Sequence, residues 1–316
     1  MSDKFLTGPS PHILGGKSIS SIMWDVVIAL IPVSLVSVLY FGLHALILLI
    51  TSLVSAMVIE GVFMAIRHKG FKHAGVIFDG SAAVTGLLIA LIMPPTAPLW
   101  LVVIANAVAI LLAKQAYGGI GNNIFNPALV ARAFVFMAWP VIMTAWSNPL
   151  GLGNWFADLT TGATPLGGAE ASLLEMFLGN TGGCLGETSA LAISIGGLYL
   201  LLKGHIDWRI PVGFIGSAAL FAFFSSQFSL YDVAFNLLAG GLLFGAVFMA
   251  TDMVTSPTTK IGRLIFGIGC GLITMFVRKF ASAPEGVTYA ILFMNALVPL
   301  IDRYTVPKTF GEVKVS

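Results

Sequence analysis

The chain has 316 residues, of which 57% are hydrophobic and only 9% charged, and its mean hydropathy is +0.95. A soluble domain carries about 25% charged residues, so lipid rather than water is the expected solvent. The net charge of +2 gives no reason to expect nucleic-acid binding. Two cysteines, Cys184 and Cys270, are too few for an iron–sulfur cluster, which usually needs about four thiolates, so any redox role requires another cofactor.

Ten apolar stretches follow one another along the chain. A helix that crosses the hydrocarbon core needs about 20 apolar residues, and on that basis we predict an all-α integral membrane protein of about ten transmembrane helices, with residues 1–316 forming one membrane domain. The predicted spans are 22–41, 43–66, 80–95, 98–115, 127–145, 186–202, 209–226, 236–252, 261–278 and 285–302. A polar, glycine-rich segment, 146–185, separates the fifth span from the sixth.

The positions of lysine and arginine predict an orientation. With the N-terminus in the cytoplasm, ten spans place these residues inside, as the positive-inside rule requires. Lys114 and Arg132 are counted among the inside cations, and only Arg278 and Lys279 fall outside. The 303–316 tail is then cytoplasmic, and the 146–185 segment lies on the outer face of a bacterial inner membrane.

The two halves, 22–145 and 186–302, contain similar short patterns. Gly80–Leu87 resembles Glu187–Ile193, and Asn126-Pro127 resembles Ser256-Pro257. Five spans in each half would invert the second copy, which gives inverted repeats around an axis in the membrane plane. Chance similarity between helices rich in small residues is the alternative. The spans at 80–95 and 186–202 are short, and such helices often form the central sites of transporters.

The 146–185 segment contains a short hydroxyl-rich motif. Asp158 is followed by Thr161, Gly162, Ala163 and Thr164. By composition alone this stretch is a polar loop. The pattern Asp-x-x-Thr-Gly-Ala-Thr, however, resembles the motif that flavin transferases of the bacterial cell exterior recognise when they transfer FMN from FAD to the last threonine as a phosphoester. The matching residue is Thr164.

Four further stretches carry a wider resemblance: Asp79–Leu87, Phe125–Ala128, Thr251–Pro257 and Asn295–Asp302. With the Thr164 motif, they make the chain similar to the D subunit of the Rnf complex, the ion-translocating ferredoxin:NAD oxidoreductase. It is also similar to the B subunit of the sodium-pumping NADH:quinone oxidoreductase.

The resemblance implies a membrane subunit that is not a complete enzyme alone. It would relay electrons between ferredoxin and NAD through a covalent FMN on Thr164 and a second, non-covalent flavin, riboflavin, with coupled sodium or proton transport. Implied partners are the flavinylated and iron–sulfur subunits of the complex, a flavin transferase and membrane lipids. A flavin-free solute channel or transporter, or a purely structural subunit, would need no flavinylation site.

Several polar residues allow two interpretations each. Asn122, Asn123 and Asn126 either contact the second flavin or cap the span that begins at Pro127. Asp252 and Asp25 are candidates for an ion path, since ionisable groups inside membranes are costly, or else they cap helix ends. Arg278 and Lys279 either neutralise the FMN phosphate or extend to lipid phosphates. No metal site is predicted.

Overall fold

The computed structural model describes residues 18–69, 78–151, 155–226, 228–281 and 286–307, and nearly all regular structure in these ranges is helical. Five further lysines that the predicted orientation counts as inside cations lie outside the described residues: Lys4, Lys17, Lys72, Lys308 and Lys314. In chain order the helices are α1 Ile19–Arg67, α2 Ser81–Leu91, α3 Leu99–Ala107, α4 Pro127–Ala138, α5 Pro140–Met143, α6 Leu173–Leu178, α7 Ala190–Lys203, α8 Arg209–Ser225, α9 Leu230–Leu238, α10 Leu242–Phe244, α11 Lys260–Phe280 and α12 Gly286–Thr305.

The apolar helices are uneven in length. Within the described residues, four helical stretches are long and apolar enough to cross a membrane, namely Ile19–Arg67, Leu99–Tyr117, Lys260–Phe280 and Gly286–Thr305. A fifth would consist of Leu230–Leu238 and Leu242–Met249, which meet at a bend of 65°. The other apolar helices, α2, α4, α7 and α8, have 11, 12, 14 and 17 residues. The short helix predicted at 80–95 is confirmed, because α2 ends before Pro94 and Pro95.

The first two predicted spans form one 49-residue element with a break. Gly42 has φ 65° and ψ −146°, a conformation outside the helical region. A side chain at this position would start 2.6 Å from the Trp155 carbonyl oxygen. The backbone N–H of Leu43 donates to that carbonyl (3.0 Å), and the N–H of Leu150 donates to the Tyr40 carbonyl (2.8 Å). The break therefore fastens the segment that carries Thr164 to α1.

The ninth helix begins earlier than the sequence predicts. The apolar run predicts a span at 236–252, but α9 starts at Leu230, where the Ser229 hydroxyl accepts a hydrogen bond from the Asp232 N–H at 3.3 Å. A serine cap at a helix start satisfies a backbone donor that has no partner within the helix. The helix ends at Leu238 and helical structure resumes at Leu242, so the predicted span is interrupted.

Small residues bring the helices together. In α11, a Cβ on Gly267 would lie 2.5 Å from the Ile210 carbonyl of α8, and a Cβ on Gly86 of α2 would lie 2.8 Å from the Ser52 carbonyl of α1. Such close approach is the usual means of packing helices where lipid removes the hydrophobic driving force. Two helices also widen into π-helical turns, Val108–Lys114 after α3 and Gly245–Met249 after α10. Wide turns of this type are frequent at functional sites.

Candidate functional site

Thr164 lies at the start of a single 3₁₀ turn, Pro165–Gly167. Its hydroxyl oxygen accepts a hydrogen bond from the Gly167 N–H at 3.1 Å, and its backbone is extended. The side chain is half-buried, whereas those of Asp158, Thr161 and Ala163 are exposed. The turn thus holds the hydroxyl in a fixed position with one side open.

A short antiparallel pairing leads the chain to this turn. Ser147 and Thr161 form an isolated β-bridge, and the N–H of Gly162 donates to the Trp146 carbonyl at 3.0 Å. A Cβ on Gly162 would overlap the side-chain amide of Asn148. The glycine of the motif therefore leaves room for the Asn148 side chain, which any larger residue would have to displace.

A cavity of about 700 Å³, including its open mouth, lies beside Thr164, and we call it the Thr164 cavity. The loop before α7, helix α4 and the break between α9 and α10 contribute polar or small lining residues: Arg132, Thr181, Gly183, Glu187, Thr188 and Gly240. Ile92, Leu129, Phe244 and Val287 supply apolar walls.

An ion pair crosses one side of the Thr164 cavity. The Arg132 guanidinium contacts Glu187 at 3.1 Å, and the two side chains are 5% and 11% exposed. The second terminal nitrogen of Arg132 donates to the Cys184 sulfur at 3.4 Å. Burial of either charge alone would be costly, so the two are held as a pair. Together they present polar atoms without net charge.

A second cavity, of about 840 Å³, is lined by Asn123, Asn126, Lys114, Asp252, Ser81 and His205, and we call it the Asn123 cavity. Both π-helical turns lead to this cavity. Lys114, the last residue of the first turn, lines it, and so does Thr251, two residues after the end of the second turn. The remaining lining is largely aliphatic, with Leu88 and Leu200 among it.

Asn126 both caps α4 and lines the Asn123 cavity. Its side-chain oxygen accepts from the Ala128 N–H at 3.0 Å, and its amide nitrogen donates to the Met249 carbonyl at 3.3 Å. The capping interpretation is confirmed for this residue. Asn123 is buried and donates to the Phe125 carbonyl at 3.3 Å. Asn122 is exposed and is not among the cavity-lining residues.

A buried ion pair lies at the same cavity. The Lys114 ammonium contacts Glu60 at 2.6 Å, with side chains 4% and 1% exposed, and it donates to the Ser81 hydroxyl at 2.6 Å. The amide nitrogen of Gln115 donates to the same Glu60 oxygen at 2.7 Å. Although the orientation argument counts Lys114 as a loop cation, its charge is inside the protein and neutralised.

The predicted ion-path residues lie near the Asn123 cavity. Asp252 lines it and accepts from the Thr255 hydroxyl at 3.1 Å. Asp25 lies behind it, 2.7 Å from the His205 ring nitrogen and 2.7 Å from the Tyr199 hydroxyl. Both carboxylates therefore have partners within the protein.

A comparison with protein families decides what the chain is related to. The model of the "NQR2, RnfD, RnfE family" matches residues 6–311. The chain belongs to this family. The predicted resemblance to the Rnf complex is thereby confirmed at the level of the family, and the protein is a multi-pass membrane protein.

Curated relatives of this NQR2, RnfD, RnfE family member match along nearly their whole length. The D subunit of the proton-translocating ferredoxin:NAD(+) oxidoreductase complex of Clostridium ljungdahlii is 42% identical, with 97% of this chain and 96% of the relative covered. The D subunit of the Na(+)-translocating complex of Acetobacterium woodii is 43% identical, with 97% and 95% covered. The D subunit of an ion-translocating oxidoreductase complex of Stutzerimonas stutzeri is 39% identical, with 94% and 93% covered.

In this family member, the two cations proposed for the FMN phosphate both have partners within the protein. Arg278 donates to the carbonyls of Asn236 (2.7 Å) and Ala239 (3.0 Å), where the end of α9 leaves carbonyls without helical partners. One of its terminal nitrogens lies 3.2 Å from where a side chain on Gly240 would begin, and Gly240 lines the Thr164 cavity. Lys279 donates to the Ser225 hydroxyl at 2.7 Å.

Sequence reasoning missed the cavity residues Arg132, Glu187 and Thr188 as candidates for cofactor contact. The sequence alone places Arg132 near a span end and Glu187 beside a helix start. The available signal is a charge of each sign within or beside apolar stretches, which in membranes indicates a buried pair or a site.

Proposed function

We propose that this chain is the D subunit of an Rnf-type ion-translocating ferredoxin:NAD oxidoreductase and that it carries FMN as a phosphoester on Thr164. Three relatives of at least 39% identity are named as D subunits of such ion-translocating complexes. The observation that carries the cofactor assignment is the Thr164 hydroxyl, held on a turn at the edge of a cavity of about 700 Å³. A polar loop without a ligand needs no such cavity.

The residues present fit a tethered flavin. Thr164 supplies the hydroxyl for the phosphoester, and the Gly167 N–H that now donates to that oxygen remains beside the phosphate. The apolar walls suit the faces of an aromatic ring, and the Arg132–Glu187 pair suits its polar edge. Bound FMN supplies the transfer of one or two electrons, while the protein sets its position and electrostatics.

The Asn123 cavity is proposed for the second, non-covalent flavin, riboflavin. Asn123 and Asn126 place amides at a largely apolar cavity of about 840 Å³. Among its described lining residues, no hydroxyl lies on an exposed loop turn comparable to that of Thr164. Lys114, neutralised by Glu60, adds a fixed polar group at 2.6 Å from Ser81. These features suit a ligand that enters from outside and is held without a covalent bond.

We further propose ten spans in two inverted five-helix repeats, with the 146–185 segment on the outer face. The support is the break of α1 at Gly42 and the recurrence of a π-helical turn before Asn126-Pro127 and again before Ser256-Pro257. The expected partners are the flavinylated and iron–sulfur subunits of the complex. Relatives named for protons and for sodium are 42% and 43% identical, so either ion suits the proposal.

The test is the detection of covalent flavin on protein from the native host or a host that expresses a flavin transferase. The denatured band should fluoresce under ultraviolet light, and the intact mass should include one FMN. Thr164→Val should abolish both signals, and Thr144→Val, an exposed threonine outside the motif, should retain them. Absence of flavin from the unmodified protein would favour a flavin-free transporter, and fluorescence that survives Thr164→Val would place the flavin elsewhere.

A further inference from the structure

One hydroxyl at the Thr164 cavity has no partner. Thr188 is 3% exposed, and its Oγ1 accepts or donates no hydrogen bond among the described residues. The residue lines the cavity. A buried polar atom without a partner is unfavourable and calls for an explanation such as a ligand. Because Thr188 lines a candidate cofactor cavity, a cofactor bound there would supply the missing hydrogen-bond partner.

Thr188 stands next to two groups of fixed hydrogen-bonding character. Glu187 precedes it in the chain and pairs with Arg132 at 3.1 Å. A guanidinium can only donate, an ionised carboxylate can only accept, and a hydroxyl can do either. The side of the cavity therefore presents a donor, an acceptor and an uncommitted hydroxyl within one patch, which we call the Arg132–Glu187–Thr188 patch.

The charge of this patch favours a neutral ligand edge over a phosphate. The charges of Arg132 and Glu187 cancel as a pair, and their side chains are 5% and 11% exposed. The neighbouring Arg278 also interacts electrostatically with Glu187, but its guanidinium is held by the Asn236 and Ala239 carbonyls. A phosphate would be attracted by Arg132 and repelled by Glu187. An edge that alternates acceptor, donor and acceptor would match all three groups. Ile92, Leu129, Phe244 and Val287 line the same cavity and suit the apolar faces of a ring.

We propose that the Arg132–Glu187–Thr188 patch binds the pyrimidine edge of the isoalloxazine ring whose phosphate is attached to Thr164. That edge carries a carbonyl, an N–H and a second carbonyl. Arg132 and Thr188 donate to the carbonyls, and Glu187 accepts from the N–H. The inference rests on the proposed flavinylation of Thr164 and makes these three residues positioning residues for the ring.

The proposal is tested on the intact complex with three variants, each normalised to its covalent FMN content. Thr188→Val removes the hydroxyl and preserves the shape, Thr188→Ser restores the hydroxyl, and Glu187→Gln removes the anionic acceptor. Thr274→Val is the matched control, since this buried threonine of α11 donates to the Cys270 carbonyl and is not a cavity-lining residue. The readouts are the flavin absorption spectrum, the redox midpoint potential and the quenching of flavin fluorescence by iodide.

We expect Thr188→Val and Glu187→Gln to keep the FMN mass increment, to shift the spectrum and the potential, and to raise iodide quenching severalfold. Thr188→Ser and Thr274→Val should behave as the unmodified protein. Attached FMN whose spectrum, potential and quenching are the same in all variants would overturn this inference and leave the proposed function intact. An unmodified protein without FMN would overturn both.

Discussion

The Thr164 cavity and the Asn123 cavity are similar in size and differ in how they can hold a ligand. The first lies beside the polar 146–185 segment. The half-buried Thr164 hydroxyl is on its edge, and the Arg132–Glu187 ion pair lines it. The second lies between apolar helices, and the Lys114–Glu60 pair beside it is almost fully enclosed. Under the proposed function, the first cavity would hold a tethered ligand and the second a diffusible one.

Because of this difference, substitutions at the two cavities should have different effects on the ligand. At the Thr164 cavity a covalent bond would hold the ligand, so the surrounding groups are left to orient it and to set its potential. At the Asn123 cavity no bond is available, so affinity must come from the shape of the cavity and from polar groups such as Asn123 and Asn126. Substitutions should therefore affect potential at the first cavity and occupancy at the second.

The largest expected effect of a substitution changes the ligand of one cavity and leaves the ligand of the other unchanged. Thr164→Val should eliminate the covalent FMN and leave the flavin that denaturation releases at its original stoichiometry. The reason is that Thr164 lies at one cavity and not at the other. Flavin released by acid or heat, quantified beside protein-bound flavin, provides the measurement. Parallel loss of both flavins would show that the cavities are not independent.

The next effect concerns the buried pair at the Asn123 cavity. Lys114→Met leaves Glu60 charged and without its cation, and loss of one partner of a buried pair costs about 3–5 kcal/mol. The thermal midpoint in detergent should fall sharply, and the non-covalent flavin should be lost. The double variant Glu60→Gln with Lys114→Met should recover much of the stability.

Lys203→Met is the matched control for that substitution, because the Lys203 side chain is 49% exposed and lies 3.6 Å from Asp25. It should change the midpoint little, since exposed pairs contribute about 0–1 kcal/mol. Equal destabilisation by the two lysine variants would contradict the assigned role of burial.

A smaller effect is expected at the motif glycine. Gly162→Ala forces a methyl group against the Asn148 side chain, and overpacking of this kind costs about 1–3 kcal/mol. Covalent FMN should decrease severalfold because Thr164 is displaced, and the non-covalent flavin should remain. Asn148→Ala combined with Gly162→Ala should restore attachment. Gly216→Ala, with open space around the added methyl, controls for the substitution itself.

Two asparagines, one that lines the Asn123 cavity and one that does not, give a further contrast. Asn126→Ala removes the cap of α4, worth about 0.5–2 kcal/mol, and also the donor to the Met249 carbonyl. Thermal stability and non-covalent flavin occupancy should both decrease. Asn122→Ala, at an exposed residue that is not a cavity-lining one, should change neither. A larger loss of flavin with Asn122→Ala would shift the proposed binding surface to the loop.

The smallest effect depends on pH and lies outside both cavities. Burial alone would raise the pKa of Asp207, but hydrogen bonds from the Arg209 N–H and from the Arg263 and Arg209 guanidinium groups outweigh it, so the pKa is lowered. The stabilisation is therefore present above the unfolded pKa of about 3.9 and is lost as pH falls through the lower folded value.

Asp207→Asn should lower the thermal midpoint at pH 7 by an amount equivalent to about 0.5–1 kcal/mol, the range of partly exposed pairs. The difference from the unmodified protein should disappear in strong acid. The exposed Glu170→Gln is the control. A difference that grows in acid would contradict the lowered pKa.

The sequence predicted the features that depend on local pattern. Apolar runs indicated the two parts of α1 on either side of Gly42, and two consecutive prolines indicated the early end of α2. The Thr164 motif identified a residue that the structure places at a cavity. In each case the relevant information lies within a few consecutive residues.

The features that the sequence did not predict depend on distant pairs. Arg132 and Glu187 are 55 residues apart in the chain, and no pattern around either residue names the other. Lys114 looks like a cation that marks the cytoplasmic side, because its sequence context does not reveal Glu60. The start of α9 at Leu230 was missed because a serine cap outweighed the lower hydropathy of the residues that follow.

The backbone hydrogen bonds at the α1 break have a consequence for how freely this protein can diverge. Leu43 and Leu150 contribute only their N–H groups to these bonds, and Trp155 and Tyr40 only their carbonyls. Exchange of these side chains therefore keeps the anchorage, except for proline at 43 or 150, which has no N–H to donate. At the break itself, Gly42 must stay small, because the Trp155 carbonyl lies 2.6 Å from where a side chain would begin. Homologous chains can therefore vary the side chains at these four positions and still fasten the loop to the first helix at the same place.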